Sequence, residues 1–224
     1  MRFCAASDQS ILLYLGEEIA LATNERVLKL LRLLQKEPPA WLRNIQPAYC
    51  SLMVTFDATR IDHPAVEAAL RKFEQRAESL PAPKSRTVEI PACYDPEFAP
   101  DLLDVARAHN LKPKDVVRFH TSRTYHAYFL GFAPGFAYLG DLPEEIATPR
   151  LEVPRKQVPV GSVAIAGKQT AVYPFATPGG WRLIGRTPLA LFRTNRKPME
   201  LISIGDQVRF QAISSKEFSE LAAS

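Results

Sequence analysis

The residue types best suited to chemistry are concentrated in one stretch, residues 157–188, which reads QVPVGSVAIAGKQTAVYPFATPGGWRLIGRTP. It contains five glycines and four prolines, and a glycine lets the backbone approach a ligand closely. Pro178, Gly179 and Gly180 are predicted to form a tight turn whose free N–H groups could hold an anion. Between the glycines and prolines stand side chains that can bind or enclose a ligand: Ser162, Gln169, Tyr173, Thr177, Trp181 and Arg186.

A purely structural alternative is that the glycines and prolines are the corners of a small β-barrel. It accounts for any one of these residues. Barrel corners do not, however, require an amide, a hydroxyl, two large aromatic rings and an arginine between them. The set as a whole therefore favours a site, while the structural alternative stays open for each single residue.

Residues 157–188 match two familiar motifs only in part. A P-loop needs four residues between its glycines and a Ser or Thr directly after its lysine. Here five residues separate Gly161 from Gly167, and Gln169 follows Lys168. Ser162 lacks the second glycine of a nucleophile elbow. The stretch therefore predicts neither a P-loop nor a serine nucleophile of the elbow type.

The histidines and carboxylates give no metal centre. His120 and His126 are six residues apart, a spacing that suits neither a helical metal pair nor a zinc ribbon. Both are interpreted first as structural, and His126 is the better candidate for a proton carrier because it leads into a glycine-rich segment. The part of the chain that contains the candidate site residues has no paired carboxylates, so a general base would come from elsewhere in the chain or from another protein chain.

Charge is distributed unevenly along the chain. The formal net charge is +4, yet residues 150–199 contain nine Lys or Arg and one acid, Glu152. Such a basic block indicates an anionic ligand or an acidic partner surface. The bases are scattered singly and lack interleaved aromatic residues, so a small anion is favoured over nucleic acid.

A second unusual segment, residues 129–140, reads FLGFAPGFAYLG and carries no charge. It is interpreted as a barrel strand over residues 128–132 that breaks at residues 133–135. Phe136 and Tyr138 would then lie against a pocket or a partner.

Composition is that of an ordinary globular protein, with 46% hydrophobic and 23% charged residues among 224. No apolar run reaches the roughly 18 residues of a membrane span, and the N-terminus lacks a signal-peptide core. Cys4, Cys50 and Cys93 lie more than 40 residues apart and are predicted to be free thiols. We therefore expect a cytoplasmic protein that binds no membrane.

The first 80 residues or so read as a small α+β sandwich. One or two short strands are predicted in residues 2–15, a helix opening at residues 23–25, one strand over residues 45–57 and a second helix capped by Asp62. Residues 81–85 are proline-rich and are taken as a linker. The predicted domains are thus residues 1–83 and 84–224.

The second domain is predicted to be mainly β. A strand is expected at residues 87–94, helices near residues 100–109 and 114–120, then short apolar segments separated by Gly and Pro, as in a barrel or sandwich. Residues 201–210 are expected to form two strands around a Gly-Asp turn. A short helix is expected from Ser215.

Three segments carry a family resemblance: residues 131–143, residues 153–192 and the GDQVRF ending at residues 205–210. They closely resemble the family called allophanate hydrolase subunit 1, or KipI, and the resemblance runs over essentially the whole chain. That family includes the B subunit of bacterial 5-oxoprolinase and is related to the carboxyltransferase domain of urea carboxylase. The implied fold class is α+β, with a small α+β N-terminal domain followed by a cyclophilin-like β-barrel.

The resemblance also implies an activity, a cofactor and partners. The implied enzyme opens 5-oxo-L-proline to L-glutamate while it hydrolyses ATP to ADP and phosphate, with Mg²⁺ expected beside ATP. Its nucleotide site could lie at a subunit interface. The implied partners are the C subunit, which is KipA-like and corresponds to allophanate hydrolase subunit 2, and the A subunit of 5-oxoprolinase. The chain alone is expected to be inactive.

Within the family's motifs, side-chain chemistry suggests a role for each candidate residue. Arg186 and Arg155 would clamp a carboxylate or phosphate, and Gln169 and Thr170 would hydrogen-bond the lactam amide. The Gly179 and Gly180 amides would form an anion nest, and His126 would carry a proton. The pocket or partner interface would be walled by Phe132, Phe136, Tyr173 and Trp181.

Two other functions share these motifs. A KipI-type chain would inhibit a sensor histidine kinase. A carboxyltransferase component would act with a biotin carrier supplied by another protein. The interpretation as part of an enzyme is preferred because the site motifs are intact and no kinase-binding appendage is recognisable.

Overall fold

The computed structural model describes residues 1–81 and 85–223. The chain divides into two compact units, Met1–Lys84 and Ser85–Ser224. Of the predicted linker at residues 81–85, residues 82–84 lie outside the described part of the chain. Within the described ranges, no helix is both long enough and apolar enough to cross a membrane.

The N-terminal unit consists of an antiparallel sheet and two helices. Its elements are, in chain order, β1 (Arg2–Ser7), β2 (Ser10–Tyr14), α1 (Leu21–Lys36), β3 (Leu42–Pro47), β4 (Ser51–Phe56) and α2 (His63–Glu78). The strand order in the sheet is β1-β2-β4-β3.

Local signals explain both helices. The apolar residues of α1 at spacings of three and four are buried, and the helix ends at Lys36, just before two prolines. It begins at Leu21, two residues before the predicted start. Asp62 caps α2 as predicted, because its side chain accepts a hydrogen bond of 3.0 Å from the backbone N–H of Ala65.

The prediction of one strand over residues 45–57 is wrong. The segment forms two antiparallel strands, β3 and β4, in which Pro47 lies opposite Leu52. β3 is an edge strand of the sheet, where a proline that cannot donate a hydrogen bond is tolerated.

The C-terminal unit is built around a closed barrel. Its elements are, in chain order, β5 (Thr87–Cys93), α3 (Leu102–Ala108), α4 (Pro113–Thr121), β6 (Thr124–Leu130), β7 (Ala137–Gly140), a short 3-10 helix (Glu144–Ile146), β8 (Arg155–Val158), β9 (Ser162–Ala166), β10 (Gln169–Val172), β11 (Thr177–Gly179), β12 (Arg182–Arg186), β13 (Gln207–Ile213) and α5 (Ser215–Ala222). The barrel order is β10-β7-β6-β13-β5-β12-β9, while β8 and β11 form a separate two-stranded sheet. The predicted α+β unit followed by a β-barrel is confirmed.

One predicted strand of this unit does not form. Residues 201–206 are bends and turns, and the strand β13 begins only at Gln207. Arg86 explains the difference, because its guanidinium donates to the carbonyl of Leu201 at 2.7 Å and to the Asp206 carboxylate at 2.9 Å. These side-chain bonds hold the segment in a compact turn beside the start of β5.

The outer face of the barrel carries a second apolar cluster, which positions the site. Because side chains alternate along a strand, Val163 and Ile165 of β9 point into the barrel core while Ala164 and Ala166 point outward. The small alanines let large rings lie against the barrel wall: Phe136, Tyr173 and Trp181.

Candidate functional site

An aromatic pocket lies on this outer face of the C-terminal unit. The turn between β6 and β7 forms one side, and the end of β11 with the start of β12 forms the other. The described residues that line it are Phe132, Phe136, Tyr138, Arg150, Tyr173, Pro178, Gly179, Gly180 and Trp181. Five of these nine residues are aromatic and none is a carboxylate or a histidine.

The turn at residues 131–136 places one ring at the mouth and another in the wall. Backbone hydrogen bonds from Phe136 to Ala133 and from Gly131 to Phe136 close the turn. Phe132 has a φ of +68°, uncommon for a bulky residue, and is 61% exposed. Its ring meets those of Phe136 and Tyr173 edge to face at 5.3 and 6.2 Å. The predicted break after β6 is therefore present, although the strand ends at Leu130.

Tyr173 lines the pocket, and its hydroxyl depends on a neighbouring glycine for space. A Cβ atom at Gly179 would overlap this hydroxyl and lie 2.8 Å from Cζ of the ring. The backbone N–H of Trp181 hydrogen-bonds the hydroxyl. Burial raises the pKa of Tyr173, although that bond and the charges of Arg150 and Arg155 act in the opposite direction. Tyr173 is thus a neutral polar group in a largely apolar wall.

Arg150 supplies positive charge to the pocket. Its guanidinium carbon lies 5.8 Å from the centre of the Trp181 ring, and the residue is exposed. In the part of the chain that the structure describes, no carboxylate is within salt-bridge distance of Arg150. An anionic ligand could therefore pair with Arg150 while its apolar part contacts the rings.

Arg155, predicted as an anion clamp, is already paired. It donates to the Asp101 carboxylate at 2.6 Å, and the other oxygen of Asp101 accepts from the backbone N–H of Leu183 at 2.6 Å. The pair ties β8 to β12 beside the pocket. Among the described residues no acceptor reaches Nη1 of Arg155, which is buried.

The predicted tight turn at Pro178, Gly179 and Gly180 is wrong. Thr177–Gly179 is the strand β11, in which Gly179 lies opposite Arg155 of β8. Neither glycine has a positive φ. Both still line the pocket, Gly179 because it leaves room for Tyr173.

Thr170, predicted to bind the lactam amide, lies inside the barrel. Its hydroxyl donates to the carbonyl of Ala164 at 3.0 Å and is 2.9 Å from Nε2 of His120. Nδ1 of His120 is in turn 2.8 Å from the Tyr94 hydroxyl. His120 and Thr170 are both fully buried, so this network is structural and does not reach the pocket.

Three further predicted residues lie outside the pocket lining. Arg186 ends β12, four residues beyond its start, and its Nε donates to the carbonyl of Val160 at 2.8 Å. Gln169 begins β10, on the outer face but next to the turn at residues 167–168. His126 is buried in β6 with its Nδ1 3.5 Å from Nε2 of Gln207.

The structure thus brings together six of the predicted site residues: Phe132, Phe136, Tyr173, Gly179, Gly180 and Trp181. Tyr138 and Pro178, which were named from the sequence without a binding role of their own, also line the pocket, and Arg150 is the one lining residue that the sequence did not single out. Arg150 is the first base of the basic block, but nothing in its local sequence distinguishes it from the other bases there. Its place opposite Trp181 arises because the backbone of Leu151 pairs with that of Gly180.

The buried histidine leads to a testable pH dependence. Burial lowers the pKa of His120 to about 3, whereas an unfolded histidine has a pKa of about 6.5. As the pH falls below 6.5, His120 takes up a proton in the unfolded chain but not in the folded one, so the free energy of unfolding decreases. Between pH 7 and pH 5 we expect His120 to lower the free energy of unfolding of the C-terminal unit by about 2 kcal/mol.

Urea unfolding followed by Trp181 fluorescence, in a Trp41→Phe background, measures this loss. The variant His120→Gln should show a smaller difference between the two pH values, and His109→Gln, at a half-buried histidine, is the matched control. An equal pH dependence in wild type and His120→Gln would contradict the assignment.

Comparisons with known proteins agree with this architecture. The family model described as "Carboxyltransferase domain, subdomain C and D" matches residues 1–202. The 5-oxoprolinase B subunit of Bacillus subtilis (strain 168) is 42% identical over 223 residues, which cover 94% of this chain and 92% of that protein. The 5-oxoprolinase B subunit of Escherichia coli O157:H7 is 51% identical over 141 residues, or 63% of this chain and 64% of that protein.

Solved structures show the same fold. TTHA0988 superposes with a TM-score of 0.82 at 34% identity, over 93% of this chain and 41% of that one. The chain therefore spans less than half of TTHA0988. The Kluyveromyces lactis urea amidolyase shares the fold, with a TM-score of 0.78 at 20% identity over 97% of this chain and 15% of that one. The family match and the near full-length Bacillus match show that the chain belongs to the carboxyltransferase subdomain C and D family, together with the 5-oxoprolinase B subunits.

Proposed function

We propose that this chain is the B subunit of an ATP-dependent 5-oxoprolinase, which opens 5-oxo-L-proline to L-glutamate and hydrolyses ATP to ADP and phosphate. One observation about the candidate site supports this proposal. An aromatic pocket, whose arginine has no carboxylate partner among the described residues, lies in a chain that is 42% identical to a 5-oxoprolinase B subunit over almost its full length.

The chemistry of the reaction fits such a pocket. A five-membered lactam is a stable amide, and ATP would supply the activation by phosphorylating its oxygen. The chain's own residues bind and orient the lactam: the rings exclude water, and Arg150 pairs with the substrate carboxylate. Arg150 is exposed in this chain, so a partner chain would have to cover it to make the site poor in water, where an arginine stabilises negative charge more strongly than in bulk water.

The proposed roles differ from those predicted from the sequence. Arg150, and not Arg186, takes the carboxylate role, because Arg150 lies in the pocket. Arg155 takes no direct part, because it is paired with Asp101 and is not among the described lining residues. The proposed pocket walls are Phe132, Phe136, Tyr138, Tyr173 and Trp181.

Further protein chains belong to the proposal. No carboxylate or histidine is among the described residues that line the pocket, so the general base would come from outside this lining. We propose that the C subunit of 5-oxoprolinase completes the site, that its A subunit completes the enzyme and that ATP acts with Mg²⁺. The three thiols, Cys4, Cys50 and Cys93, are free, which supports a cytoplasmic location.

The experiment is to co-express the chain with the C and A subunits and to measure ADP and glutamate formation with and without 5-oxo-L-proline. We expect ATP hydrolysis that depends on 5-oxoproline and on the presence of this chain. An assembled complex that 5-oxoproline does not stimulate would overturn the proposal. Inhibition of a sensor kinase by the purified chain would then favour the KipI-type function.

A further inference from the structure

We infer that the aromatic pocket of this chain is the subsite for the cyclic-amide acid, a small monoanion built on one five-membered ring, and that the nucleotide binds elsewhere in the assembly. The inference rests on the proposed function and refines it, because it assigns the two substrates of the reaction to different places in the enzyme. Three features of the pocket support the inference: the geometry of its rings, its charge, and the shortage of side chains that could bind phosphates or a metal ion among the described lining residues.

The rings define a narrow slot with polar groups at its edge. Phe136 contacts Tyr173 at 5.3 Å and Trp181 at 5.7 Å between ring centres, in each case edge to face. Tyr138 meets Trp181 at 6.0 Å in the same way. Interlocked rings of this kind form stiff walls, which suit a small flat ring better than a flexible chain.

The charge of the pocket matches one carboxylate. Arg150 lines the pocket without a carboxylate partner among the described residues. The neighbouring arginines are engaged: Arg155 is paired with Asp101, and Nε of Arg182 donates to the carbonyl of Pro149 at 3.3 Å. The exposed guanidinium of Arg150 can hold a carboxylate in a bidentate pair.

A nucleoside triphosphate does not fit this lining. Triphosphate sites combine several cations or N–H donors with Mg²⁺, which is held by oxygen ligands such as carboxylates. The described residues that line the pocket offer one cation and no carboxylate. In residues 1–81 and 85–223 no group of three or more His, Cys, Asp or Glu side chains is placed to hold a metal ion.

The kinetic test uses the complex of this chain with the C and A subunits. We expect Arg150→Gln to raise the KM for 5-oxo-L-proline at least tenfold while the KM for ATP stays within twofold of wild type. Arg182→Gln, which removes a neighbouring arginine outside the lining, is the matched control and should leave both values within twofold. A rise in the KM for ATP with Arg150→Gln, or no change in either KM, overturns the inference.

A binding test separates this inference from the proposed function. The chain has two tryptophans, Trp41 and Trp181, so Trp41→Phe leaves the pocket residue as the fluorescent probe. 5-Oxo-L-proline should change the Trp181 emission saturably, in the chain alone or in a complex whose other tryptophans are replaced by phenylalanine. The uncharged lactam 2-pyrrolidinone and Mg-ATP should not, and Arg150→Gln should weaken the 5-oxoproline response at least tenfold.

The two tests have distinct failures. A complex without oxoprolinase activity whose Trp181 still reports 5-oxoproline refutes the proposed function and supports the subsite. An active complex in which neither the chain nor the assembly shows a Trp181 response to 5-oxoproline refutes the subsite alone. A saturable response to Mg-ATP, competed by ATP analogues, assigns the pocket to the nucleotide and overturns the inference.

Discussion

Replacing Gly179 with alanine is expected to lower 5-oxoproline-dependent ATP hydrolysis by the assembled enzyme about 100-fold, the effect that a misplacement of about 1 Å can have on catalysis. A Cβ atom there would overlap the Tyr173 hydroxyl and lie 2.8 Å from Cζ of its ring. Tyr173 is only 2% exposed and is surrounded by Phe132 and Phe136, so it cannot move aside without displacing the pocket wall. The measurement is kcat/KM for 5-oxo-L-proline.

The next residue provides the matched control. A Cβ atom at Gly180 would meet Pro154 at 3.6 Å, an ordinary van der Waals contact, and Gly180 has no positive φ. Gly180→Ala should therefore retain activity within about threefold of wild type, a cost below about 1 kcal/mol. Equal losses from the two variants, or full activity in Gly179→Ala with the ellipticity of a folded protein, would contradict the proposed role of Tyr173 in the pocket.

Short-range signals in the sequence predicted much of the fold. Asp62 before Pro64 marks the start of α2, and the spacing of Val27, Leu30 and Leu34 marks the buried face of α1. These patterns depend on neighbours within one or two turns of helix, so they can be recognised without tertiary information. The short segments between Gly and Pro predicted a barrel or a sandwich, and the family resemblance implied the barrel, although not its strand order.

The errors arose where distant residues decide the local structure. Arg86 holds residues 201–206 in a turn from a position more than 100 residues away. Gly179 and Gly180 look like a turn in the sequence, yet β11 pairs with β8, and this pairing extends the chain there. A pattern confined to a few residues contains no information about such partners.

The site was predicted in part for the same reason. The family's motifs contain Phe132, Phe136, Tyr173 and Trp181, and their large rings suggested the wall of a pocket or partner interface. The polar site residues were harder to predict, because side chains alternate between the two faces of a strand. In β10, Thr170 points into the barrel while its neighbours Gln169 and Ala171 face outward. Charge density could indicate an anion site, but it could not choose Arg150 among nine bases.

The structure therefore separates two uses of glycine in this chain. Gly179 makes room for a side chain that lines the pocket, whereas Gly161 makes room for backbone. The Gly161 carbonyl accepts a hydrogen bond from the N–H of Thr187 at 2.9 Å, and its own N–H donates to the carbonyl of Tyr173 at 2.8 Å. Gly161 thus joins the turn before β9 to the segments that follow β10 and β12.

Gly161→Ala is expected to destabilise the C-terminal unit by about 4 kcal/mol, near the upper end of single-residue effects. Gly161 has a φ of +80°, and a Cβ atom there would overlap the carbonyl oxygen of Thr187, 3.5 Å from the carbonyl carbon. That oxygen belongs to the backbone, so no change of rotamer relieves the overlap. Urea unfolding followed by Trp181 fluorescence in the Trp41→Phe background measures the loss.

Gly167→Ala is the matched control for this prediction. Gly167 also has a positive φ, +55°, but a Cβ atom there would have no atom within 4 Å. Its substitution should cost only the strain of the left-handed conformation, about 1 kcal/mol. The difference of about 3 kcal/mol between the two variants isolates the steric term, because both replace a turn glycine of positive φ by alanine. If both variants lose the same stability, the overlap with Thr187 is not the cause, and conformational strain alone accounts for the glycine at position 161.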